Sequence, residues 1–75
     1  MDYKKVNLTN LLNEIKNILK EKDVRLDDNF IELGGNSVMA LLILRNMELN
    51  YGVSVNLAQL LGEEIGKVTI IPLEK

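Results

Sequence analysis

Cysteine and histidine are both absent from the 75 residues of this chain, and their absence removes most catalytic chemistry. Without cysteine there is no disulfide framework, no thiolate nucleophile and no thiolate metal site. Without histidine the commonest general base and metal ligand are missing, so a self-contained Ser-His-Asp or Cys-His centre is excluded. A serine activated by lysine would need a pocket that so short a chain can scarcely build. The sequence therefore predicts a protein that is not an enzyme.

Long apolar runs and a strong net charge are lacking too. The longest unbroken apolar run is Val38–Leu44, far short of the roughly 18–20 residues that span a bilayer. Met1–Lys5 carries lysines, but no apolar region follows, so it is not a signal peptide. A net charge of −2 argues against binding nucleic acid through phosphate neutralisation. We therefore expect a cytoplasmic protein that binds neither membranes nor nucleic acid.

Length and composition predict a single domain over residues 1–75. Apolar residues make up 47% of the chain and charged residues 27%, which is a globular balance. A core of this size gives only about 3–5 kcal/mol of net stability, so close helix packing has to replace size. We expect a monomer that could stand alone, although a domain excised from a longer protein would look similar.

Six apolar residues near the N-terminus recur with the spacing of one helical face. They are Leu8, Leu11, Leu12, Ile15, Ile18 and Leu19. Polar residues occupy most of the positions between them, so the pattern predicts an amphipathic helix over Tyr3–Lys22 with its apolar stripe in the core. Asp2 or Asn7 is the expected N-cap.

The stretch from Asp23 to Asn36 sustains no period, and its turn-forming residues predict a long loop. Apolar residues within it are expected to pin the loop to the core: Val24, Leu26, Phe30, Ile31 and Leu33. A structureless loop of this length is unusual in a compact domain and tends to be functional.

A second helix is predicted from Ser37 to about Tyr51, and it is apolar on two sides. At about 100° per residue, one side forms a core stripe of Ala40, Ile43, Leu44, Met47 and Tyr51. The other side surrounds Arg45 and consists of Val38, Leu41, Leu42 and Leu49. A domain this small cannot bury every side of one helix, so the second side is a candidate docking surface that begins at Ser37.

A short extended connector and a short third helix follow. The connector is Val53–Val55, and Asn56 is the expected N-cap of a helix over Leu57–Leu61 that Gly62 closes. A final helix would begin at Glu63 and Glu64 and end at Pro72. Gly66 and the β-branched residues after it weaken this last helix, and an extended tail is the alternative.

Ser37 follows two glycines and an asparagine. The simple explanation is a turn and a helix cap, because Asn and Ser are preferred caps. A cap needs no pair of glycines, however, and Gly34 and Gly35 leave the backbone bare where a modifying enzyme would approach. A helix N-terminus favours an anion by roughly 0.3–1 kcal/mol, so Ser37 is also a candidate for carrying a phosphodiester. Acidic loop residues could meet a basic partner surface: Asp27, Asp28 and Glu32.

The stretch Asp28–Ser37 reads DNFIELGGNS and resembles the signature of phosphopantetheine-binding carrier proteins, especially the peptidyl carriers of nonribosomal peptide synthetases. The similarity extends from about Val24 to Leu61, and the first helix fits by pattern only. Asn36 stands where that family usually has aspartate or histidine. The C-terminus is atypical, and the second helix lacks the acidic face of fatty-acid carriers, since Glu48 is its only acidic residue.

This resemblance implies an all-α fold, a small four-helix bundle of the acyl carrier protein type. It would have a long loop between helices 1 and 2, a short helix 3 and a weak or truncated helix 4. A phosphopantetheinyl transferase would attach 4'-phosphopantetheine to Ser37, beside Gly34, Gly35 and Asn36. The thiol of that arm would hold an aminoacyl, peptidyl or aryl group as a thioester.

The resemblance also implies partners. An adenylation enzyme would load the arm, and condensation, tailoring or thioesterase enzymes would receive the cargo. The implied docking residues are Val38, Met39, Leu42 and Arg45. Two alternatives stay open: an acyl carrier for fatty-acid or polyketide chains, and a non-catalytic helical interaction module in which Ser37 is only a cap. The carried group is chosen by the loading enzyme, so this sequence does not encode it.

Overall fold

The computed structural model describes residues 2–73. Its α-helices are α1 (Tyr3–Leu19), α2 (Ser37–Tyr51) and α3 (Leu57–Gly62). Its strands are β1 (Val53–Val55) and β2 (Ile70–Pro72), and a 3-10 helix (Ile65–Lys67) lies before β2. No helix in this part of the chain combines the length and apolar composition that crossing a membrane requires. The prediction of a purely α-helical four-helix bundle is thus correct for three helices and wrong at the C-terminal end.

The predicted start of α1 is confirmed, and its predicted end is wrong. The Asp2 carboxylate caps the start, as predicted, and Asn7 lies buried inside the helix instead of capping it. The helix ends at Leu19 and not at Lys22, because Lys20 adopts a left-handed φ of 54° that turns the chain into the loop.

The core forms where the apolar sides of α1 and α2 meet and the later elements cover them. The predicted α1 stripe is confirmed, since its buried members are Leu8, Leu11 and Ile15 and the others are partly buried. The core side of α2 is confirmed at Ala40, Ile43, Leu44 and Met47, which are buried or partly buried. Tyr51 is 39% exposed, so its assignment to the core is wrong.

The loop between α1 and α2 is held by its buried side chains. Val24 and Phe30 are buried and Leu33 is partly buried, which confirms them as anchors. Leu26 and Ile31 are exposed, so they are not anchors. Phe30 is the largest fully buried side chain, and it fixes the part of the loop that leads to α2.

In the C-terminal segment the predicted weak fourth helix is reduced to the 3-10 helix Ile65–Lys67, and the residues of β2 are extended, as the alternative of an extended tail predicted. β2 pairs antiparallel with β1, with Ser54 opposite Ile71. The β-branched residues that weakened a helix favour this strand. Pro72 is tolerated because it lies at the end of a strand in a two-stranded sheet, where a missing N–H costs little.

The pairing of β1 with β2 also shows the relative direction of α1 and α2. A surface cavity of about 270 Å³ is lined by Tyr3 and Lys4 at the start of α1 and by Ile70 in β2. Because β2 pairs with the strand that directly follows α2, the start of α1 lies near the end of α2. The two helices are therefore antiparallel, and Ser37 lies at the end of the fold away from Asp2.

Candidate attachment site at the start of α2

Ser37 is the first residue of α2, and another residue supplies its N-cap. The Asn36 side-chain oxygen accepts the Met39 N–H at 2.9 Å, and the Asn36 carbonyl accepts the Ala40 N–H at 2.9 Å. No group of residues 2–73 hydrogen-bonds to the exposed Ser37 hydroxyl. The hydroxyl is therefore available at the surface, and the idea that Ser37 is only a cap is wrong.

The surroundings of Ser37 suit a phosphate ester. The N–H groups of Ser37 and Val38 have no partner inside the helix, because the first turn of any α-helix lacks the preceding carbonyls. The first turn carries no acidic side chain that would repel an anion. A phosphate on Ser37 would gain roughly 0.3–1 kcal/mol from this helix end, nearer the lower figure because the site is exposed.

The two glycines before the site have conformational and packing reasons of their own. Gly34 has a φ of +104°, which side-chain-bearing residues rarely adopt. Gly35 lies directly against the ring of Phe30, so any Cβ would collide with that ring. The N–H of Gly35 also donates to the Phe30 carbonyl at 3.0 Å. The pair is thus required by the turn itself, and its value for access by an enzyme stays a prediction.

The chain contains one other serine, and its setting is different. Ser54 lies in the middle of β1, half-buried and paired with Ile71. A strand residue in a paired ladder cannot be reached by an enzyme as freely as an exposed residue at a helix start. Of the two hydroxyls, Ser37 is the accessible one.

Comparison with models of known families matches residues 8–64 to the family described as phosphopantetheine attachment site. The match covers most of the chain, including the larger part of α1 and all of the loop, α2, β1 and α3. This chain belongs to that family. Neither a curated protein nor a solved structure matches it. The match ends before the 3-10 helix and β2, where the carrier also departs from the predicted fold.

Membership settles the broad function of the carrier. Domains of this family bear 4'-phosphopantetheine covalently on a serine and are not catalytic. They work with a phosphopantetheinyl transferase and with the enzymes that load or use the arm. The exposed Ser37 hydroxyl, which has no hydrogen-bond partner among residues 2–73, and the helix start that favours an anion would suit such a group.

The outer side of α2 gives the carrier an apolar surface beside Ser37. Val38 is 69% exposed, and Leu41, Leu42 and Leu49 are exposed as well. Arg45 is exposed on the same side. Met39 is only partly exposed and packs against the core. The structure therefore brings three of the predicted docking residues to one surface, Val38, Leu42 and Arg45, and turns Met39 largely away.

The charged side chains of the loop differ in their exposure and in their hydrogen bonds. Asp27 and Glu32 are exposed, as a role in attracting a partner requires. Asp28 is half-buried, and its carboxylate accepts the Arg25 N–H at 2.9 Å, so it also closes a turn. The hydrogen bond from Arg25 to the Asp23 carboxylate, together with the negative charge of that group, raises the pKa of Arg25.

Sequence reasoning missed Asn29, which joins the loop to the segment after α3. Its side-chain oxygen accepts the N–H groups of Ile31 and Glu32 at 2.9 and 3.1 Å. Its side-chain nitrogen donates to the Glu63 carbonyl at 3.3 Å. An asparagine among turn formers signals the first pair of bonds. Nothing local in the sequence signals the third, because its partner lies 34 residues away.

Proposed function

We propose that Ser37 is the residue that carries 4'-phosphopantetheine. The observation that carries this proposal is the exposed Ser37 hydroxyl, which has no hydrogen-bond partner within residues 2–73, since Asn36 and not Ser37 caps the helix. A transferase would join the Ser37 oxygen to the β-phosphorus of coenzyme A, adenosine 3',5'-bisphosphate would leave, and the hydroxyl proton would pass to the transferase. When attached, the arm supplies a thiol that holds cargo as a thioester.

We further propose that the cargo is an aminoacyl, peptidyl or aryl group of a nonribosomal peptide or related pathway. α2 carries Glu48 as its only acidic residue, and its outer side is apolar around Arg45. Enzymes with apolar docking surfaces fit this side better than strongly basic ones. Adenylation, condensation, tailoring and thioesterase enzymes are the partners proposed for it, with contacts at Val38, Leu42 and Arg45 and a smaller one at Met39.

The surface cavities support small cargo over a long buried acyl chain. Four cavities among residues 2–73 have volumes of about 270–550 Å³, and none of these four is lined by a residue of α2 or α3. The side chains of Ile43, Met47 and Leu60 on those helices are fully buried. These buried side chains favour a small cargo over a fatty chain held between α2 and α3.

The first experiment identifies the attachment residue. Wild-type protein incubated with coenzyme A and a broad-specificity phosphopantetheinyl transferase should gain the mass of one phosphopantetheine. Ser37→Ala should gain nothing, whereas Ser54→Ala is the matched control and should gain the same mass as wild type. Both serine variants should remain folded by circular dichroism. Modification of Ser37→Ala, or loss of modification in Ser54→Ala, would refute the assignment.

A second experiment separates the peptidyl type from the acyl type. The phosphopantetheinylated protein is offered to adenylation enzymes with amino or aryl acids and, separately, to acyl and malonyl transferases. Intact mass measures the acylated fraction in each case. We expect loading by an adenylation enzyme to be the faster reaction, and faster loading by malonyl or acyl transferases would favour fatty-acid or polyketide synthesis instead.

A further inference from the structure

The Asn29 side chain forms a hydrogen bond between the loop that joins α1 to α2 and the segment that follows α3. We infer that Asn29 is a positioning residue for the modification of Ser37. This inference rests on the proposed role of Ser37. Asn29 does not contact the Ser37 hydroxyl. Its role would be to hold the loop so that the transferase can reach that hydroxyl.

Asn29 uses both ends of its amide. The oxygen accepts two backbone N–H groups of the loop, from Ile31 and Glu32, and the nitrogen donates to the Glu63 carbonyl. A bridge between the backbones of Asn29 and Glu64 accompanies this contact. Aspartate has no donor and alanine has neither group, so asparagine is the short side chain that makes all three bonds.

From Asn29 a series of bonds continues to the serine. The Asn29 carbonyl accepts the Leu33 N–H at 3.1 Å, and the Phe30 carbonyl accepts the Gly35 N–H at 3.0 Å. The Phe30 ring fills the space beside Gly35, and Asn36 then caps α2. Contacts that begin at Asn29 therefore help to set the position of Ser37 relative to the segment after α3.

Other bonds between the two segments keep the fold intact without Asn29. The Ile65 N–H donates to the Asp28 carbonyl at 3.0 Å, and the Gly66 N–H donates to the Leu26 carbonyl at 2.8 Å. Both are backbone bonds, and both precede Asn29 in the loop. A change at Asn29 should therefore loosen the turn at Ile31 and Glu32, while these backbone bonds and the buried Phe30 ring keep the loop attached.

The test compares Asn29→Asp and Asn29→Ala with wild type as substrates of the transferase. Asp keeps an acceptor for the loop N–H groups and loses the donor to Glu63, and Ala loses both without adding charge. Losing the bond to Glu63 lowers the fraction of molecules in which the loop presents Ser37 correctly to the transferase. We therefore expect the KM for the Asp variant to rise about fivefold with kcat nearly unchanged. The Ala variant should show a larger rise.

A second readout reports on the loop directly. Amide hydrogen exchange at Leu33 and Gly35 should speed up in both variants, whereas the amides of Ile15 and Ile43 in the helices should not change. The matched control is Asp2→Ala, which removes the cap of α1, a helix that none of the Asn29 side-chain bonds reaches. It should lower the melting temperature and leave the KM at the wild-type value.

The outcomes separate this inference from the proposed function. Normal modification of wild type, with a wild-type KM and unchanged exchange in both Asn29 variants, would overturn the inference and leave Ser37 as the attachment residue. An equal rise of KM in Asp2→Ala would show that Asn29 acts only through global stability, and it would overturn the inference too. Absence of any modification in wild type would refute both proposals.

Discussion

The starts of α2 and α3 use the same cap and serve different purposes. Asn36 and Asn56 each accept the N–H of the residue three positions later, and both bonds measure 2.9 Å. The residue after the first cap is Ser37, which is exposed, and the residue after the second is Leu57, which packs against the core. One start presents a hydroxyl to solvent, and the other anchors a short helix.

What comes before each cap differs as well. A tight turn with two glycines precedes Asn36, and the paired strand β1 precedes Asn56. α2 is 15 residues long and has an exposed apolar side, whereas α3 has six residues. The comparison teaches that capping alone does not create an attachment site. At Ser37, the proposed attachment residue, the glycine turn, the exposed hydroxyl and the adjacent apolar surface occur together.

The glycine turn is the feature whose loss should have the largest effect on stability. In Gly35→Ala the new Cβ would collide with the ring of Phe30, which is fully buried and cannot move aside. We expect the free energy of unfolding to fall by about 1–3 kcal/mol, as for other overpacked sites. Modification of Ser37 should slow as well, because the turn that leads to it is displaced. Urea denaturation and the transferase assay measure the two effects.

Gly62→Ala is the matched control for that substitution. Gly62 is the last residue of α3, and an added Cβ there would meet nothing within 4 Å. The change should be neutral or stabilise the fold by up to about 1 kcal/mol, because alanine restricts the unfolded chain. If Gly35→Ala were as stable as Gly62→Ala, the turn would not depend on contact with Phe30.

The two caps should separate stability from function. Asn36→Ala and Asn56→Ala should each lower the free energy of unfolding by about 1 kcal/mol, because each leaves one helix N–H without its partner. Only Asn36→Ala should also slow the modification of Ser37, since only that cap adjoins the serine. Thermal melts and transferase kinetics on both variants test this expectation.

An aspartate at position 36 sharpens the same comparison. Asn36→Asp keeps the acceptor and adds a negative charge at the helix N-terminus, so stability should be equal to wild type or slightly higher.

Equal slowing of modification in Asn36→Ala and Asn56→Ala would mean that the first cap has no special relation to the site.

Much of this organisation could be predicted from local sequence. The spacing of apolar residues and the polar caps predicted α2, α3 and the body of α1, because a helix is decided by residues three or four positions apart. The C-terminal segment could not be predicted in this way. Glu63 and Glu64 favour a helix locally, yet the residues after them pair with β1, which is a non-local interaction.

The site divides along the same line. Its serine and glycines are predicted by the turn before the helix start together with the family resemblance, and the exposed side of α2 is predicted by angle. The role of Asn29 was not, because its bond to Glu63 joins parts of the chain that meet only after folding. Leu26 was wrongly assigned to the core: its side chain is 43% exposed, and its carbonyl accepts the Gly66 N–H, a bond that no sequence pattern signals.

The smallest effect on stability is expected at the exposed side of α2, where function should still change. Val38 and Leu49 are 69% and 71% exposed, so replacing either by serine should alter stability by less than about 0.5 kcal/mol. They lie about 16 Å apart along the helix, and only Val38 adjoins Ser37.

An enzyme that reacts with an arm on Ser37 has to approach the start of α2, so it should cover Val38 more completely than Leu49. Val38→Ser should therefore lower kcat/KM for loading by an adenylation enzyme about tenfold, equivalent to about 1.4 kcal/mol of lost apolar contact. Leu49→Ser should lower it by less than about twofold, well under 1 kcal/mol. Equal losses at the two positions would place the docking surface along the whole helix and not at the serine.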